Sequence, residues 1–270
     1  MVPIFVNGIC VAEHLYVVSS EWGGAKGGLN VFNKALVEGL ARVTGAGVKI
    51  IAVVAAAQSI PTSPGAAFSF LPYDGTGKGL ADKIKQDTEE TPHAITKIVI
   101  IGHDVHTGHH ALEARNVLRA EQHNCVAGVF CHMDYSAYQK FKFQPIERIS
   151  QKVEMQRDII RNADHVYAVG PLLSQAFTDL RGASGAKTPV QQIIPGVPDT
   201  LSQLADANPA KALHFFFSGR IDPENDPIKN GRLALQAICD AYEKNRRSNE
   251  TRWQQRGQFT MPVPVMFPYF

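Results

Sequence analysis

The chain has 270 residues, 44% of them hydrophobic and 19% charged, an ordinary composition for a globular protein with room for one large α/β domain or two modest ones. A formal net charge of +2 is too small an imbalance to argue for nucleic acid, and the basic cluster Lys244-Asn245-Arg246-Arg247 reads as a solvated helix end without interleaved aromatics. No apolar run approaches the ~18 residues of a membrane helix, the amino end lacks a signal-peptide pattern, and Cys10, Cys125, Cys131 and Cys239 form no Cys-x-x-Cys pair, so the chain reads as a reduced, cytoplasmic protein.

In chain order, the tight-turn dipeptide Asn7-Gly8 predicts a hairpin of residues 4–6 with 9–11, ahead of the main sheet. Leu15-Tyr16-Val17-Val18 is the first predicted strand of that sheet. It leads into Ser19-Ser20-Glu21-Trp22-Gly23-Gly24-Ala25-Lys26-Gly27-Gly28, with Gly23, Gly24, Gly27 and Gly28 falling within six residues. A helix follows, carried by Leu29, Phe32, Leu36 and Leu40 at three- and four-residue spacing, with Val31 and Ala35 beside them. Glycines there leave backbone N–H groups bare at the positive end of a helix, a geometry for holding phosphate. The spacing fits neither the dinucleotide fingerprint nor the P-loop. A glycine-rich turn that only lets the helix pack closely on a sheet is the plainer alternative.

Lys49-Ile50-Ile51-Ala52-Val53-Val54-Ala55 is a continuous apolar run, the pattern of a strand buried on both faces of a parallel sheet. Residues 58 to 79, rich in Pro, Ser and Gly, read as a long loop. Lys97-Ile98-Val99-Ile100-Ile101-Gly102 is the next strand and runs into His103-Asp104-Val105-His106-Thr107-Gly108-His109-His110, with a helix predicted over 111–121. Cys125-Val126-Ala127-Gly128-Val129-Phe130-Cys131 is a further strand, ending at His132-Met133-Asp134-Tyr135. A helix over 144–163, a strand at Val166-Tyr167-Ala168-Val169-Gly170, a short helix over 172–180 and a strand at Gln192-Ile193-Ile194-Pro195 complete the series. Strand alternating with helix predicts an α/β fold with a doubly wound, Rossmann-like parallel sheet.

Such sheets bind ligands outside the carboxyl ends of their strands. Chain order alone therefore puts the glycine segment, the His103 cluster and His132-Met133-Asp134 on one edge. His106 and His110, four apart, could offer a pair of zinc ligands on a helix face, but no Glu stands as in His-Glu-x-x-His, and no metal is expected. The favoured alternative is that the imidazoles and the Asp104 carboxylate line a polar pocket for a hydroxyl-rich or phosphate-bearing ligand. His109 and His110 could equally begin a helix on the surface.

These residues carry a resemblance. Ser19 through Leu36, with its glycine segment and helix, resembles the N-terminal loop and first helix of the GT-B retaining glycosyltransferases of family 4, the group that includes sucrose-phosphate synthases. Ile101-Gly102-His103-Asp104 with Thr107-Gly108 is similar to that group's His-rich strand end, and Val129-Phe130-Cys131-His132 to the strand end whose histidine reaches the transferred sugar. Glu154 through Ala168 resembles its helix and Ala-Asp-x-Val-x-Ala strand. Ile193-Ile194-Pro195-Gly196-Val197 resembles its crossover into a second domain, and Phe217-Ser218-Gly219-Arg220 with Lys229-Asn230 the start of that domain.

The resemblance implies a GT-B N-terminal domain over residues 1–198 and an incomplete donor-side domain over 199–270, itself the start of a second Rossmann-like domain. It implies retaining transfer of a sugar from a nucleotide-diphosphate sugar to a hydroxyl acceptor. Arg220 and Lys229, with Gly23, Gly24, Gly27 and Gly28, would bind the donor phosphates; His132 would sit beside the sugar; His103 and Asp104 would bind acceptor hydroxyls. No cofactor beyond the donor substrate is implied, nor any nucleic-acid partner or integral membrane segment. A salt bridge from Arg220 to Asp222 or Asp226 is the plainer alternative for that residue.

The chain also departs from the pattern. The family's late Glu-x7-Glu pair has no counterpart after Arg220, since Glu243 and Glu250 are one residue too close. The expectation is either a fragment of a longer polypeptide or a reduced relative. The alternative function is a non-catalytic module that binds or senses nucleotide sugar within a larger signalling protein.

Overall fold

A computed structural model describes residues 5–6, 9–23, 28–45, 47–61, 67–91, 94–138, 146–183 and 188–195, together with 233, 236–237, 239–240 and 243–244. The chain divides into two compact units, Met1–Pro198 and Asp199–Phe270. In the second unit the described positions, Leu233 to Lys244, are helical.

The first unit is built from β1 (Phe5–Val6), β2 (Ile9–Ser19), α1 (Gly28–Val43), β3 (Val48–Val54), β4 (Ser69–Pro72), α2 (Gly77–Glu89), β5 (Ala94–His103), α3 (Asp104–Ala120), β6 (Cys125–Cys131), α4 (Tyr135–Tyr138), α5 (Ile146–Asn162), β7 (His165–Val169), α6 (Pro171–Gly182) and β8 (Val190–Ile193). Seven strands are parallel, in the order β4-β3-β2-β5-β6-β7-β8, and β1 pairs antiparallel with β2. The order turns back between β2 and β5, so chain connections leave in opposite directions from those two neighbours. That is the crevice where doubly wound sheets bind ligands.

Alternation along each strand sends side chains to two covered faces. On one, Tyr16, Val18, Ile51, Val53, Ile98 and Ile100 pack against Leu80, Ala81 and Ile84 of α2 and Ala111, Ala114 and Leu118 of α3. The same face continues through Ala127, Val129, Val166 and Ala168 under α5 and α6. On the other, Leu15, Val17, Ile50, Ala52, Ile101 and Phe130 meet α1 through Phe32, Leu36, Val37 and Leu40. Complete burial of Val37 contributes roughly 2 kcal/mol.

Several boundaries differ from the sequence reading. The hairpin forms, but its second arm and the first core strand are one strand, because residues 11–17 all pair parallel with β5, with a single shift of register between Ala12 and Glu13. The expected loop over 58–79 contains β4 and the start of α2. That helix opens at Thr76, whose side chain accepts the Gly79 N–H, and buries Leu80, Ala81 and Ile84. Helix α3 begins at Asp104, seven residues before the predicted start, so the histidine run occupies its first two turns. No helix among the described residues is long and apolar enough to cross a membrane.

Candidate active site at the carboxyl edge of the sheet

The strands that lead into the three sequence-predicted segments end side by side on the carboxyl edge. Strand β2 ends at Ser19, β5 at His103 and β6 at Cys131, one residue before His132. His103 lies in register with Phe130 on the neighbouring strand, and its Nδ1 is 3.1 Å from His132 Nε2. On its other side His103 Nε2 is 2.7 Å from Asn33 Oδ1, which α1 brings down onto the sheet. The His103 backbone N–H donates to Thr107 Oγ1, and that hydroxyl donates to the Val18 carbonyl, so one short web ties β5, α3 and β2 together. Phe32 sets its ring edge-on to His132 at 4.7 Å.

Burial governs the charge states. His103 has no exposed surface, and loss of hydration together with the nearby His132 pushes its imidazole down to about 3; burial alone pushes His132 down to about 4. Both rings are neutral at physiological pH. Asp104 is 1% exposed, and burial lifts its carboxyl to about 7 against the pull of the His132 and Met133 N–H donors. Its Oδ1 accepts from the His132 N–H at 3.0 Å, while Oδ2 is buried without a partner among the described residues. Asp104 also carries a positive φ of 43°, uncommon for a residue other than glycine. The chain turns there from strand directly into helix, with no loop between.

His103 and Asp104 were expected to line the pocket and bind acceptor hydroxyls. The structure instead buries both, with each His103 ring nitrogen already engaged, and leaves His132 as the partly exposed member of the group. The physical reason is the early start of α3, which carries Asp104 under the β6 turn.

The segment after β2 is pinned at its entry. Ala55 and Ala56 donate their N–H groups to the Ser19 and Ser20 carbonyls, the Trp22 N–H donates to Ser59 Oγ, and the Trp22 ring packs at 4.8 Å edge-on to Phe70. Gly23 follows with φ 94°, and Gly28 opens α1. Gly24, Gly27, Arg220 and Lys229 lie outside the described residues. Two residues of this entry meet α1 directly: Ser20 Oγ donates to Asn30 Oδ1, and Asn30 Nδ2 donates to the buried Glu21.

The other histidines stand apart from this site. His106 Nε2 is 3.3 Å from the Tyr135 hydroxyl, His110 Nδ1 is 3.0 Å from the Tyr73 hydroxyl, and His109 Nδ1–H donates to the Val105 carbonyl. His106 and His110 are thus turned to different tyrosines. Among the described residues no group of three or more His, Cys, Asp or Glu is gathered as a metal ion would require.

Sequence reasoning missed Asn30 and Asn33. Spaced three apart, and with Val37 four further on, they form the most deeply buried line of α1, while Val31 is 52% exposed. Two asparagines on the sheet-facing stripe of an otherwise apolar helix were the available signal, because buried amides require partners.

The profile of the family described as "GT4-conflict: Family 4 Glycosyltransferase in conflict systems" matches residues 16–261. No curated protein matches the chain. Among solved structures, it is similar to a sucrose-phosphate synthase from Thermosynechococcus elongatus, at 15% identity and a TM-score of 0.49, over 72% of this chain and 52% of that one. It is also similar to apo UGT2 of Phytolacca americana, at 9% identity and a TM-score of 0.43, over 72% of this chain and 55% of that one. The chain therefore spans about half the length of the solved relatives it matches. With the family profile covering most of its length, the chain belongs to the family 4 glycosyltransferases of conflict systems.

Proposed function

We propose that this protein takes part in glycosyl transfer, moving a sugar from a nucleotide-diphosphate donor to a hydroxyl acceptor with retention at the anomeric carbon. The observation that carries the reading is the partly exposed, neutral His132 at the end of β6, one strand from the switch point of the sheet, held from behind by His103 and Asp104, in a chain of this family. In this scheme His132 meets the sugar as a hydrogen-bonding group, and His103 and Asp104 hold it in place. The N-terminus of α1, with Gly23, Gly24, Gly27 and Gly28, stabilises the charge that grows on the departing diphosphate. Arg220 and Lys229 serve the same leaving group as a fork of donors and a point charge. The donor is a substrate, and the scheme uses no further cofactor.

The test pairs binding with turnover. UDP-, GDP- and ADP-sugars are screened by thermal shift, and a stabilising donor is then incubated with hydroxyl acceptors while free nucleoside diphosphate is measured. A saturating donor raises the melting temperature in proportion to RT ln(1 + [L]/Kd), and Arg220→Ala and Lys229→Ala are expected to remove most of that shift. His132→Ala is expected to keep most of the shift, which the diphosphate contacts supply, and to lower turnover by about 10²-fold, the scale of a misplaced reacting group. Donor binding without diphosphate release under any acceptor would overturn the enzyme reading in favour of a nucleotide-sugar-binding module.

A further inference from the structure

Asn33 lies on the buried face of α1 with its Oδ1 2.7 Å from His103 Nε2. A carbonyl oxygen only accepts, so that ring nitrogen carries the hydrogen. A neutral imidazole has one N–H, which leaves His103 Nδ1 as a lone pair. Its neighbour at 3.1 Å, His132 Nε2, must then be the donor. The hydrogen of His132 is committed inward, and its Nδ1 is left as an acceptor. No hydrogen bond among the described residues reaches that atom.

The three side chains behave as one variable. Turning the Asn33 amide over would reverse every donor in the row, from His103 through to His132. The surroundings restrict the rings to the one remaining freedom of proton placement. Phe32 stands edge-on to His132 at 4.7 Å and to His103 at 6.0 Å, Phe130 stacks on His103 at 5.7 Å, and Asp104 accepts from the His132 backbone.

We propose that Asn33 is a positioning residue: acting through His103, it holds His132 in the Nε2–H tautomer and so presents Nδ1 as the acceptor for a hydroxyl of the transferred sugar. The clause about the sugar rests on the function proposed above, whereas the tautomer does not.

The experiment is a two-bond 1H–15N correlation on the full chain labelled with 15N-histidine, at neutral pH and without donor or acceptor, with His103→Gln and His132→Gln used only to assign signals. His103 and His132 are both expected to show an unprotonated Nδ1 and a protonated Nε2. Asn33→Leu removes the acceptor and is expected to replace the single tautomer with a mixture on both rings. Asn33→Asp keeps an acceptor at the same place and is expected to restore the wild-type pattern, which a general packing role would not do. His132 protonated on Nδ1 in the wild type would overturn the proposal, as would unchanged tautomers in a folded Asn33→Leu chain. Should Asn33→Leu not fold, the wild-type spectrum decides. Because these spectra need no turnover, a correct tautomer in a chain that never releases diphosphate would count against the proposed function alone. Active turnover with the wrong tautomer would count against Asn33 alone.

Discussion

Gly102 shows how little room the site leaves at the scale of one residue. A Cβ built on it would stand 2.6 Å from the Thr107 carbonyl oxygen and 2.7 Å from Gly108 Cα, both backbone atoms of the first turns of α3. Backbone cannot swing aside as a long side chain can. Gly102→Ala is therefore expected to push α3 away from β5 and to cost about 3 kcal/mol, read as a drop in the urea midpoint at unchanged slope. The same shift would lengthen the His103 N–H to Thr107 bond, so a folded variant is also expected to lose turnover. His103, Asp104 and His132 are legible in the sequence because they interrupt apolar runs at strand ends. Their burial is not legible, because it depends on α3 starting at Asp104 with a backbone conformation that residue types alone do not specify.

Among the elements, α5 and α6 are joined through one guanidinium. Arg181, 3% exposed, donates from Nη2 to the Ala163 and Asp164 carbonyls, from Nη1 to the Ile160 carbonyl and from Nε to the Thr188 carbonyl. It thereby satisfies the open carboxyl end of α5 and ties it to the segment before β8. A lysine carries one compact head where this site uses a planar fork. Arg181→Lys is expected to leave carbonyls unsatisfied and cost about 3 kcal/mol in denaturant melts. The buried strands β3, β5 and β6 were legible as unbroken apolar runs, since both faces of a parallel strand are covered. Helix α2 was not, because Leu80, Ala81 and Ile84 form a short stripe among lysines and acids, and Gly77 and Gly79 read as breakers. Strand β4 was hidden by Ser69 and Pro72 at its ends.

For the whole molecule, one part of the response to acid comes from the buried site. His103 titrates near 3 and His132 near 4 in the folded chain, against about 6.5 unfolded, so the unfolded state takes up the protons first and stability falls as pH drops below 6.5. Asp104 works in the opposite sense. Raised to about 7 when folded, it binds its proton before the unfolded chain does, and stability rises as pH falls from 7 toward 3.8. Asp104→Asn removes this offset and is expected to steepen the loss between pH 6.5 and 4 by about 1.4 kcal/mol per pH unit. Urea midpoints at three pH values in that range measure it, and an unchanged slope would contradict a protonated Asp104.

A second polar cluster occupies the amino-terminal side of the same sheet. There Asp87 accepts from the Tyr16 hydroxyl at 2.9 Å and from Lys49 Nζ at 2.8 Å, with the buried His14 beside them at 3.3 Å. Although burial opposes its ionisation, the bonds from His14, Lys49 and Tyr16 hold the Asp87 carboxyl well below its usual range. The two clusters thus place imidazoles at opposite poles of the central strands, giving the fold a built-in pair of reporters. Loosening confined to the ligand edge would disturb the ring signals of His103 and His132 while His14 stays silent, and only collapse of the whole sheet would move all three together.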